Sequence, residues 1–144
     1  MIRVAKAVEY FEQGFNCAQS LLAAYGPDLG MDERAAMRLA SPLGGGLSRT
    51  GGTCGAALGA LLVLGLRNGH TDPEDEDQQD LCRQEAQEFL RRFGMKQGGT
   101  TCPEILLADL SQPGELERAK EEGLFEAKCP RAVREAAEIL EELL

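Results

Sequence analysis

The chain has 144 residues, 43% hydrophobic and 27% charged with both signs mixed, enough for one core in one domain spanning residues 1–144 and too apolar for long disorder. A formal net charge of −9 repels phosphate backbones and, with no basic stripe, argues against nucleic-acid binding. Aromatics are scarce and Leu and Ala dominate, so helices are favoured over sheet.

Residues 2–12 predict a first helix with Val4, Val8 and Phe11 on one face. No signal-peptide core is visible around Lys6, Glu9 and Glu12, so the expected location is cytoplasmic, where thiols stay reduced. Gly14 ends this helix. Asn16 caps a second, which Tyr25-Gly26-Pro27 stops. A third helix starts at about Asp32 and ends near Pro42 in Gly44-Gly45-Gly46.

A fourth helix follows over Thr53–Leu66, with Thr53 as cap. Its apolar surface runs all round, which places it in the middle of a bundle. The uncharged run Gly51–Leu66 is shorter than the roughly 18 residues of a membrane span, so it reads as a core helix with no membrane insertion. Gly55, Ala56, Gly59 and Ala60 allow neighbouring helices to come close, although each interior glycine costs about 1 kcal/mol relative to alanine.

Beyond Asn68-Gly69, Thr71 or Asp72 caps a fifth helix, with Pro73 in its first turn and Gly94 as its stop. Thr101 to Glu104 forms a capping box for a short helix. A loop and weak helix over 111–123 lead to a final amphipathic helix beginning at Cys129-Pro130. No strand alternation and no repeat is present. The expected fold is an all-α, compact single-domain helical bundle around a buried central helix.

Five cysteines occur, none in a CxxC pair. Cys17, Cys54, Cys102 and Cys129 all fall at predicted helix starts, and only Cys82 lies inside a helix, where it reads as packing. First-turn N–H groups and the helix dipole favour a thiolate, lowering its pKa from about 8.5 towards roughly 3.5 to 7.5. The thiolate is the form that attacks disulfides and binds metal. The four cysteines are therefore candidate catalytic thiols and, on an alternative reading, ligands for zinc or an iron–sulfur cluster. More than twenty residues separate each successive pair, so spacing alone carries no metal signature. Inert core packing is the third reading of the set.

Other features are weaker. Gly46 to Gly51 is followed by Gly52, not by the lysine of a P-loop. His70 is the only histidine and reads as solvated beside acids. Arg49 could stabilise a thiolate at Cys54 but reads first as a surface arginine. Glu74–Asp80 lacks the spacing of a calcium loop.

The order Cys17, then Cys54-Gly55-Ala56-Ala57-Leu58-Gly59, then Cys102 and Cys129 resembles the C_GCAxxG_C_C family, whose members are assigned redox activity from their cysteines. Phe15-Asn16-Cys17-Ala18-Gln19 and Gly44-Gly45-Gly46 are similar to the family too. The resemblance covers residues 15–129 and leaves Cys82 outside the four-cysteine pattern. It implies a redox-active protein, without naming a reaction, and gene neighbourhoods that include transporters. A related module resembles the N-terminal part of split-Soret cytochromes, for which an iron–sulfur centre has been suggested. No CxxCH haem attachment is present here. The expected function is thiol–disulfide exchange, with Cys54 as nucleophile exposed by Gly52 and Gly55 and one of the other three as resolving thiol. The alternatives are a cysteine-ligated metal or iron–sulfur protein that transfers or senses electrons, and a non-enzymatic partner of a membrane transporter. The partner is expected to be a redox protein or a transporter-linked one.

Overall fold

The computed structural model describes residues 1–144 and is all helical. The helices are α1 (Ile2–Glu12), α2 (Cys17–Tyr25), α3 (Glu33–Ala40), α4 (Gly55–Asn68), α5 (Glu76–Gln97), α6 (Cys102–Leu106), α7 (Glu115–Glu121) and α8 (Leu124–Leu143), with short 3₁₀ turns at Gly26–Leu29 and Ser41–Leu43. No helix is long and apolar enough to cross a membrane.

The α2 helix lies at the centre, packed by α1, α3, α4 and α8. Leu21, Leu22 and Tyr25 are at most 1% exposed, and burying such side chains contributes roughly 1.5–3 kcal/mol each. The Tyr25 hydroxyl donates to the Ala137 carbonyl of α8 at 3.0 Å, so the one polar atom on that ring is satisfied where it is buried. Thirty-four buried residues form one continuous apolar cluster.

The α4 helix is buried on its small-residue face, where Gly55, Ala56, Gly59, Ala60 and Val63 meet the bundle. Its leucine face differs from the all-round burial expected: Leu58, Leu61, Leu62 and Leu66 are only half-buried. The small face is what lets α2 approach. A Cβ on Gly59 would lie 2.8 Å from the Ala18 carbonyl oxygen and 2.9 Å from Leu21 Cβ. Gly59→Ala should therefore cost about 2–3 kcal/mol by overpacking, whereas Gly65→Ala in the same helix meets nothing within 4 Å and should gain about 1 kcal/mol of helix propensity. Urea unfolding of the two variants checks the opposite signs.

Three boundaries differ from expectation. Asp75, not Thr71 or Asp72, caps α5 by accepting from Gln78 N at 3.1 Å. The same helix passes through Gly94 and stops only at Gly98, whose φ of 80° supplies the left-handed cap. Finally, α8 begins at Leu124 behind Gly123 and carries Pro130 inside it. Cys129 therefore sits within a helix rather than at a helix start.

Candidate functional site

Three of the four cysteines are placed by local devices, and the fourth by a helix that runs through it. Asn16 caps α2 by accepting from Gln19 N at 2.9 Å, and Gln19 Oε1 accepts from Asn16 N at 3.0 Å. This capping box starts the helix at Cys17. The same two side chains bind α3 as well: Asn16 Nδ2 donates to the Ser41 carbonyl and Gln19 Nε2 to the Met37 carbonyl, both at 3.0 Å.

Cys54 and Cys102 are brought together by a single antiparallel pairing of Thr53 with Thr101. Cys54 N–H donates to the Thr100 carbonyl at 2.8 Å, and Cys102 N–H to the Gly52 carbonyl at 2.9 Å. Because neighbouring residues alternate sides in extended backbone, both cysteines leave the side opposite the threonines. Thr101 also caps α6 through a box with Glu104. On the α4 side Cys54 itself is the cap residue, one position later than expected. Cys129 arrives from α8.

All four thiols line one cavity of about 550 Å³, within the range of small-molecule sites. All four are free and buried, at 6–8% exposure. Phe11, Phe15, Ile105, Leu106 and Phe125 supply its apolar wall. Sequence reasoning did not assign these five to the site; apolar periodicity marks Phe11 alone, as part of a helix face. Cys82 does not reach the cavity and is half-buried on α5, while His70 and the Glu74–Asp77 run are exposed.

The opposite rim is a backbone feature that no local propensity predicts. Gly45, Gly46, Leu47, Ser48 and Arg49 all have positive φ, between 58° and 75°. Hydrogen bonds from Ser48 N to Gly44 O (2.9 Å), Arg49 N to Gly45 O (3.0 Å) and Thr50 N to Gly46 O (3.1 Å) close one turn of left-handed helix. Non-glycine residues in this conformation cost about 1–2 kcal/mol each, and strain of this kind concentrates at functional sites. Gly46 is where the turn touches the cysteines: a Cβ there would lie 2.5 Å from Cys102 Cβ. Gly44, Gly45, Gly46, Ser48 and Arg49 all face the cavity.

The thiols are electrostatically unequal. Interaction with the Cys129 thiol raises the Cys17 pKa well above its usual value, with burial adding to the rise. The same interaction lowers Cys129, against burial and against the nearby Glu126 charge. The pair thus holds one proton on Cys17 and favours negative charge on Cys129. Burial pushes Cys54 up to about 11, although the Ala56 and Ala57 amides at the start of α4 oppose it. Burial also pushes Cys102 up to about 12, helped by the neighbouring Cys54 and Cys129 sulfurs. The helix-start amides expected at Cys54 are present, but desolvation outweighs them. Nor is Cys54 open to solvent beside its two glycines: the residue is only 6% exposed.

The donor chemistry of four thiols matches zinc and iron–sulfur sites, but the geometry does not. No group of three or more His, Cys, Asp or Glu side chains is arranged to hold a metal ion. The four cysteines line a cavity, with no three of them gathered around one point.

Four cysteines thus line one cavity of a helical scaffold. The family model "Putative redox-active protein (C_GCAxxG_C_C)" matches residues 15–143, and the chain belongs to that family. Searches of curated proteins and of solved structures find no match to it.

Proposed function

We propose that the protein carries out thiol–disulfide exchange through the Cys17–Cys129 pair. What supports this reading is that Cys17 and Cys129 line one small-molecule-sized cavity and shift each other's ionisation in opposite directions. Cys129, the thiol favoured to ionise, attacks one sulfur of a disulfide R–S–S–R′ and expels R′–S⁻, which takes up a proton. Cys17 then loses its proton and attacks Cys129 Sγ in the mixed disulfide, releasing R–S⁻, which is protonated in turn. Two protein thiols become one protein disulfide, and two electrons reduce R–S–S–R′ to two thiols. Cys54 and Cys102, with pKa values of about 11 and about 12, stay protonated at neutral pH and do not compete for the first attack.

The test is one equivalent of a small disulfide added to reduced protein, quenched in acid and mapped by peptide mass spectrometry. The expected product links Cys17 to Cys129 and leaves Cys54 and Cys102 free for alkylation. A Cys54–Cys102 link as first product, or no protein disulfide at all, overturns the assignment.

A further inference from the structure

The lining of the cavity has one charged side chain, a feature that the exchange reaction does not require. The protein has 24 acidic and 15 basic residues apart from one histidine, yet no carboxylate lines the cavity, and Arg49 is its only charged side chain. Arg49 enters none of the protein's ion pairs. It is held at the rim by the left-handed turn, a conformation unfavourable for arginine. On the inner side, the Cys102 residue is more than nine-tenths buried and lines the cavity. A cationic rim, an apolar wall and buried thiols are therefore presented together to whatever fills the space.

Resting on the exchange reading above, we infer that the cavity takes a small disulfide bearing a carboxylate. Its anionic end pairs with Arg49, its carbon chain lies against Phe11, Phe15 and Phe125, and its S–S bond meets the Cys17–Cys129 pair. The guanidinium suits this role because it offers a carboxylate two parallel N–H donors. The ligand is the oxidant: it accepts two electrons from the pair and leaves as two thiols, one or both acidic.

The experiment is single-turnover oxidation of the reduced protein by two disulfides of similar size. One is 3,3′-dithiodipropionate, which is acidic, and the other is bis(2-hydroxyethyl) disulfide, which is neutral. Comparing each rate ratio between variants cancels the intrinsic reactivity of the two reagents. Arg49→Gln should lower the acidic-to-neutral ratio on the order of tenfold, the scale of one charge-assisted hydrogen bond. Arg49→Lys should recover part of it, and added salt should compress the wild-type ratio towards that of Arg49→Gln. Arg49 is exposed and its replacements keep a side chain of similar length, so folding is readily confirmed by circular dichroism. An unchanged ratio in Arg49→Gln, with both reagents oxidising the protein, overturns this inference and leaves the exchange reading standing. Failure of both reagents to oxidise the wild type overturns the exchange reading itself.

Discussion

Cys129→Ser is expected to abolish the first step of disulfide exchange, lowering the rate of single-turnover oxidation on the order of 10³-fold or more, because a serine hydroxyl is a far weaker nucleophile than a thiolate at neutral pH. Cys17→Ser should behave differently. Its hydroxyl can still donate to Cys129, so the first attack survives, but nothing resolves the product. The protein should then accumulate a stable adduct whose added mass is that of one half of the disulfide. Cys54→Ser and Cys102→Ser should still form the Cys17–Cys129 bond. Intact-mass spectrometry distinguishes the three outcomes. Loss of the first step in Cys54→Ser alone, with Cys129→Ser still reactive, would reverse the roles assigned here.

Gly46→Ala is expected to be the most damaging single-methyl change at the site. The position has φ +75°, and its new Cβ would lie 2.5 Å from Cys102 Cβ and 3.0 Å from the Gly52 carbonyl oxygen. That oxygen accepts the Cys102 N–H, so relief of the clash pulls apart the pairing that sets Cys102 beside Cys54. Overpacking of about 1–3 kcal/mol adds to a left-handed penalty of about 1–2 kcal/mol. For a chain of this size the sum corresponds to a fall in Tm of roughly 10 °C. Gly45→Ala is the matched comparison. It has φ +70°, but its Cβ meets only the flexible Arg49 Cγ, at 3.1 Å, so it carries the conformational penalty with little clash. Equal losses in the two variants would show that contact with Cys102 is not what fixes glycine at 46.

Local signals were legible in the sequence where the physics is local. Asn16 before Cys17 and the Thr101–Glu104 box before Pro103 each bind backbone N–H groups within a few residues, so the pattern alone locates two cysteines. Proline misled at Cys129. A proline favours the first turn of a helix, yet α8 had already begun at Leu124, and Gly123, which reads as a stop, is its cap. Gly94 failed as a stop for a related reason: it keeps the negative φ of the helix, and the left-handed cap comes four residues later at Gly98.

The site was less legible than the fold. That four distant cysteines share one cavity follows from packing α2, α4, α6 and α8 together, which no spacing encodes. The Thr53–Thr101 pairing is one residue pair long, too short for any alternation to show. Three glycines hint at unusual backbone over 44–46, but the left-handed turn continues through Leu47, Ser48 and Arg49, which have no preference for it. The order of acidity was hidden as well. Sequence shows which sulfurs lie near helix amides; it does not show that burial outweighs the amides at Cys54, or that Cys129 is influenced chiefly by another thiol.

The most direct test of the account is a site-resolved titration, in which a small neutral alkylating agent is applied across about pH 5 to 9 and each cysteine's labelling rate is read by peptide mass spectrometry. The account predicts that Cys129 labels first and that its rate levels off below the ordinary thiol value of 9.0. The rates at Cys17, Cys54 and Cys102 should still be rising at the top of the range. Cys54 ionising first, or Cys129 behaving as an ordinary or raised thiol, would contradict it.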